Sequence, residues 1–190
     1  MKINKKIRIL LYGAGIWYLA EGMLGPLFAV FTERIGGDVL EISWAWATYL
    51  IVAGVFYMII GELIDTKYDK ARVMVLGYAL NAIFTFGYLL VSAPWHLFVV
   101  QTGLGFAAAL ANPTWNALYA KYEDKKHDGF EWGLAGGEAQ ILMGLALIAG
   151  GFIVTYLSFK TLFLTMGIIQ VIATIYQAQL LKEIKHPKQS

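Results

Sequence analysis

The chain has 190 residues, 58% of them hydrophobic and 15% charged, with a net charge of +2 and a mean hydropathy of +0.60. A soluble domain carries about a quarter charged residues, so an ordinary cytosolic domain is excluded, as is disorder, which needs low hydrophobicity and high charge. The charge is too small to argue for nucleic acid as a partner. The absence of cysteine removes disulfides, thiolate metal sites and a Cys nucleophile.

Charged residues cut the chain into six apolar blocks. Residues 9–32 carry one charge, Glu21; residues 42–61, 73–95 and 97–120 carry none; residues 132–159 carry one, Glu138; and residues 161–181 carry none. A spanning helix needs about 20 mostly apolar residues, and a core helix of a soluble protein would show a polar stripe instead. The blocks predict six transmembrane helices in a lipid bilayer. Lys2, Lys5, Lys6 and Arg8 precede the first block as they would a signal peptide. That block outruns the 7–15 apolar residues of a signal and holds Trp17, Tyr18 and Glu21, so it is expected to stay as a helix. Of the 15 Lys and Arg residues, 13 fall in the N-terminus, the loops after helices 2 and 4, and the C-terminus; only Arg34 and Lys160 lie opposite. The positive-inside rule then places both termini in the cytoplasm of a multi-pass cell-membrane protein. The loops are too short for a soluble catalytic domain.

Helix 1 contains Gly25 and Pro26 and helix 4 contains Asn112 and Pro113, with the prolines 87 residues apart. Gly54 and Gly61 of helix 2 recur 90 residues later as Gly144 and Gly151 of helix 5. One membrane domain, 1–190, thus reads as two three-helix units, about 7–92 and about 94–182. Three is odd, so the second unit enters the bilayer inverted, a construction common in secondary transporters. Gly and Pro are frequent in membrane helices without any repeat.

Glu21 lies 13 residues beyond Arg8, about 20 Å along a helix and near the bilayer centre. An acid there costs on the order of 2.5–3.5 kcal/mol. It shares a helix face with Trp17, Leu24 and Phe28. One reading is a proton-coupling or cation-recognising site; the other is a carboxyl kept protonated, or bonded to a neighbouring helix for packing. Helix 4 carries a polar stripe of Gln101, Gly105, Ala108, Asn112, Trp115 and Tyr119. Its Gly103, Ala107 and Ala111 form a small-residue ridge suited to tight helix packing. Asn112 and Asn116 come to a depth similar to Glu138 and Gln140 of helix 5, and a short loop makes the two helices expected neighbours. These four form either an inner polar cluster or a structural staple. Asn81 and Gln170 are single amides, read as packing or as facing the other repeat.

His96, His127 and His186 fall at span ends or in tails, which leaves no intramembrane His site for a metal. The serines Ser43, Ser92, Ser158 and Ser190 do the same, and no H-E-x-x-H, G-x-S-x-G or phosphate loop occurs. Neither enzymatic activity nor a cofactor is expected.

The exit of helix 2 carries Gly61, Leu63, Asp65, Lys67, Asp69, Lys70 and Arg72. It resembles the signature loop of the major facilitator superfamily, G-x-L-a-D-r-x-G-r-R/K, and stands where that family has it, between spans 2 and 3. Thr66 and Tyr68 replace its usual Arg and Gly. In physical terms, Gly61 would let a neighbouring helix approach. Asp65, with basic residues two to seven positions on, could hold helix ends together in one state and release them in another. The family implicates this cluster in gating. Helix 4 resembles a second family motif, R-x-x-q-G-x-G-a-a, in Gly103, Gly105 and Ala107, but Val99 stands where its Arg would be. Helix 5, with Gly144, Gly150 and Gly151, is similar to the Gly-rich fifth helix of drug–proton antiporters without their Gly-Pro pair, so antiport is not inferred.

The resemblance covers the whole chain as one six-helix half of that fold. It implies an all-α integral membrane protein with six transmembrane helices in two inverted three-helix repeats. Helices 1 and 4 would line a path, 2 and 5 flank it, and 3 and 6 lie peripherally. The implied function is secondary transport of a small solute by alternating access in a half-size transporter that pairs as a homodimer or with a partner half; protons are one candidate coupling ion, through Glu21, and the resemblance does not fix it. An unpaired half would leave cavity groups facing lipid, at several kcal/mol each by rough estimate. The competing expectations are a non-transporting scaffold or regulatory subunit, and a fragment of a transporter.

Overall fold

The computed structural model describes residues 3–185; Lys2, His186, Lys188 and Ser190 lie outside them. The elements are α1 (Lys5–Gly22), α2 (Leu27–Arg34), α3 (Val39–Thr66), α4 (Lys70–Gly87) with a tight turn at Tyr88–Leu90, α5 (Pro94–Tyr122), α6 (Asp128–Tyr156), α7 (Phe159–Gln177) and α8 (Gln179–Lys185). Five helices are long and apolar enough to cross a membrane, or six if α1 and α2, bent by 44° at their junction, count as one span.

The first predicted span is therefore broken. Pro26 supplies no N–H and Gly25 takes φ +28°, a backbone that side chains with a Cβ resist. Pro113 breaks nothing: α5 runs through it, since Asn112 stays helical where Gly25 does not. The two matched prolines thus do different work. Helix starts follow local chemistry. Asp38 accepts from the Leu40 and Glu41 amides while Glu41 accepts from the Asp38 amide, a reciprocal cap at the head of α3. Asn4, Asp69 and Ser158 cap α1, α4 and α7. Pro94 opens α5, where a missing N–H costs nothing.

Packing is reciprocal between the two halves of the chain. α1 packs on α6 and α7, α5 packs on α3 and α4, and α4 meets α7. Glycines set the closest crossings. A Cβ on Gly22 would fall 2.7 Å from Met143 Cα, on Gly105 2.7 Å from the Tyr49 carbonyl, and on Gly77 2.6 Å from the Ala111 amide. Backbone touches backbone there. Gly77 lands on the predicted ridge at Ala107 and Ala111.

Two expectations need correction. α5 and α6 are not side-by-side neighbours, because α6 lays its small-residue face on α1. They meet at one end, where the Tyr119 hydroxyl donates to the Glu131 carbonyl at 2.7 Å and its ring lies 4.8 Å from that of Trp132. At Gly61, nothing lies within 4 Å of a Cβ. It seats no helix among the described residues.

The two ends of the bundle are held differently. The terminal end carries ion pairs, Lys5 with Glu183 at 2.6 Å, Lys125 with Glu123 at 2.5 Å and Lys70 with Asp65, and a hydrogen bond between His127 and Asp124 at 2.9 Å. The far end holds a ring cluster, in which Phe163 lies 4.8 Å from Phe31 and 4.9 Å from Tyr88, with the Arg34 guanidinium over Phe159. Burial is uneven as well. In the apolar window of α5, 61% of residues are buried, against 11% in α3 and 17% in α6.

Candidate functional site

A cavity of about 560 Å³ opens between α1, α5, α3 and α6. Glu21 reaches it from the last turn of α1. Asn81 Nδ2, on α4, donates to Glu21 Oε1 at 2.9 Å, and Gln170 Nε2, on α7, donates to the same oxygen at 3.0 Å. Both amides are buried. The other oxygen, Oε2, makes no hydrogen bond within the described chain and is not sealed off. One carboxylate oxygen is thus tied down by two donors and the other is left to the cavity.

The two amides that were read as packing or as facing the other repeat are therefore the partners of the acid. The signal was present: a lone amide in an apolar span is itself expensive, and intramembrane acids pair with intramembrane polar groups. α4 and α7, expected at the periphery, thus each send one polar side chain inward to Glu21. α4 also brings Thr85 to the cavity and α7 brings Met166.

Six aromatic side chains form part of the rest of the wall. Trp17 lines it from α1, Leu24 from the break and Phe28 from α2, so the single helix face expected of Trp17, Glu21, Leu24 and Phe28 is not kept. Phe28 lies 5.9 Å from Trp46, which stacks on Tyr49 at 5.7 Å. Sequence reasoning missed Trp46 and Tyr49. α3 thus supplies one flank, and Gln140, Met143, Gly144 and Leu147 of α6 supply the other. Gln101 borders the cavity with 1% exposure, and its Nε2 finds no acceptor; Trp17 Nε1 finds none either. An unpaired buried N–H costs about 1–3 kcal/mol, and such groups call for an explanation. Both lie in this one wall.

Two smaller chambers follow α1 toward the terminal end. One, of about 290 Å³, is bordered by Trp17, Tyr18, Tyr57, Asn112, Trp115 and Asn116. Asn112 Nδ2 donates there to the Tyr57 hydroxyl at 2.5 Å. The next, of about 170 Å³, includes Tyr18, Trp115, Asn116, Trp132 and Glu138. Tyr18 borders all three spaces. Trp115 is pinned by its indole N–H to the Leu10 carbonyl at 3.1 Å.

The expected inner cluster of Asn112, Asn116, Glu138 and Gln140 is not assembled. Residues two apart on a helix face different ways, so Gln140 lines the large cavity and Glu138 the small chamber. Asn116 joins Glu138, while Asn112 is bonded to α3.

The loop between α3 and α4 is local in its bonding. Asp65 pairs with Lys70, whose Nζ also donates to the Ile64 carbonyl at 3.1 Å. Asp69 accepts from the Arg72 amide at 2.9 Å as the cap of α4. Lys67 and the Arg72 side chain are exposed. Asp65 and Lys70 reach no other helix end within the described residues.

A family model described as Major Facilitator Superfamily matches residues 10–190. A curated relative described as an uncharacterized MFS-type transporter, from Methanocaldococcus jannaschii, is 22% identical over 183 residues, which covers 96% of this chain and 47% of the relative. The chain spans about half the length of that relative.

Proposed function

The chain belongs to the major facilitator superfamily, and from that premise we propose that it is half of a secondary transporter, moving a small solute through the α1 cavity by alternating access. The observation that carries the proposal is the carboxyl of Glu21, with one oxygen fixed by Asn81 and Gln170 and the other left to a membrane-depth cavity. Protonation at Oε2 would add a donor facing the cavity without disturbing the two bonds to Oε1. Deprotonation would leave a charge shared with two N–H groups. Such a group can exchange a proton while the helices around it keep their places. Glu138 with Asn116 would extend the path toward the terminal end.

The reciprocal packing of α1 with α6 and α7, and of α5 with α3 and α4, supports two inverted repeats within one domain. The grouping of basic residues at the terminal end supports cytoplasmic termini in the cell membrane. The cavity is flanked by α3 and α6, which do not pack on each other and are the least buried spans. A second six-helix bundle, either another copy or a partner half, would close that side. Asp65, Asp69 and the basic residues around them would then act between the two bundles. A non-transporting scaffold is the second reading, favoured by the fact that Glu21 is already bonded to two helices.

The path is tested with a single cysteine. Gly144 lines the cavity, a Cβ there meets nothing within 4 Å, and the chain has no cysteine of its own. Thiols react as thiolates, which need water. A membrane-impermeant maleimide is expected to label Gly144→Cys and not Ile172→Cys, on an exposed face of α7. Equal labelling at background level would mean the cavity is dry, and the scaffold reading would stand. Pairing is tested by the mass of the detergent-solubilised particle. Two 21.1 kDa chains, or one with an unlike partner, are expected; a single chain refutes the pairing.

A further inference from the structure

The cavity also carries information about what it would hold. Of its twenty lining residues, Glu21 is the only one with a formal charge; none is Lys, Arg or His. Six are aromatic: Trp17, Tyr18, Phe28, Trp46, Tyr49 and Tyr88. Phe28, Trp46 and Tyr49 form a continuous wall, with centroids 5.9 Å and 5.7 Å apart along it. The face of an aromatic ring is negative and attracts cations, most strongly when water is excluded. The free oxygen of Glu21 has the same preference. The one formal charge of the site and its ring faces therefore favour a positive guest.

The alternatives fit less well. An anion would meet an unscreened carboxylate in a low-dielectric setting. A calcium-like inorganic ion needs about six or more oxygen ligands, and the site offers one free carboxylate oxygen. The volume of about 560 Å³ falls in the range that takes a drug-sized molecule, roughly 300–1,000 Å³.

We propose that this cavity binds a small organic monocation, an alkyl- or arylammonium whose head lies at Glu21 Oε2 and whose body rests on the wall of Phe28, Trp46 and Tyr49. The proposal rests on the reading of the cavity as the transport site, and names its ligand class.

The test is equilibrium dialysis of radiolabelled benzyltrimethylammonium against the purified full chain in lipid nanodiscs. Saturable binding is expected, weakened at least about tenfold in Glu21→Gln and in Trp46→Leu. The uncharged carbon isostere, neopentylbenzene, and the anion benzenesulfonate are expected not to compete. Absence of saturable binding, equal competition by the isostere, or undiminished binding by Glu21→Gln overturns the proposal. Labelling of Gly144→Cys in the same nanodiscs separates the two failures. If the cysteine is labelled and the cation does not bind, only the ligand class falls; if it is not labelled, the path falls with it.

Discussion

Glu21→Gln is expected to abolish proton-driven, concentrative uptake in proteoliposomes while leaving membrane insertion and folded yield at the level of the parent protein. The substitution is close to isosteric. The Gln carbonyl can still accept from Asn81 Nδ2 and Gln170 Nε2, which now meet at one Glu21 oxygen. The helices α1, α4 and α7 therefore keep their tie. What is lost is the free oxygen, replaced by an amide that neither ionises nor takes up a proton. Flux down a gradient should survive; accumulation against one should fall to the level of empty vesicles. Accumulation at the parent rate would place the coupling group elsewhere. A loss of folded protein alongside the loss of uptake would instead identify Glu21 as a staple.

The second large effect concerns the fold. Gly77→Val is expected to prevent assembly of the bundle, because the first added atom would fall 2.6 Å from the Ala111 amide nitrogen and 2.9 Å from the Ala107 carbonyl. Both obstacles are backbone and cannot rotate away. Overpacking typically costs about 1–3 kcal/mol when side chains can adjust; here α4 and α5 must separate, and the cost should reach the top of that range or beyond. Gly54→Ala provides the contrast, since nothing lies within 4 Å of its Cβ. It should be neutral or gain up to about 1 kcal/mol from helix propensity. Size-exclusion profiles and melting midpoints of the two variants would separate them. Equal midpoints would show that the α4–α5 contact is not what holds the bundle.

The helices were legible because hydrophobic runs bounded by charge are dictated by the solvent, and lipid leaves few alternatives. The break at Gly25 and Pro26 was visible as a pair of residues, but not its difference from Asn112 and Pro113, which depends on one backbone angle. Glu21 stood out because a charge in an apolar run is costly. Its partners did not, because Asn81 and Gln170 lie 60 and 149 residues away in the chain, and nothing local joins them. The placing of α6 on α1 was missed for the same reason. A short loop suggests adjacency to α5, but the small face of Gly22 against Met143 decides the neighbour. Trp46 and Tyr49 were hidden among aromatics common to any membrane interface.

The ion pairs that the terminal end carries in addition to its rings have a consequence for how the bundle responds to its surroundings. Exposed ion pairs such as Lys5 with Glu183 weaken as electrolyte shortens the reach of their field, to about 8 Å at physiological strength. The contacts of Phe31, Tyr88 and Phe163 have no such dependence. Concentrated salt should therefore weaken the tie between Lys5 and Glu183 and spare the ring contacts of the far end, so that the termini part before the far end does.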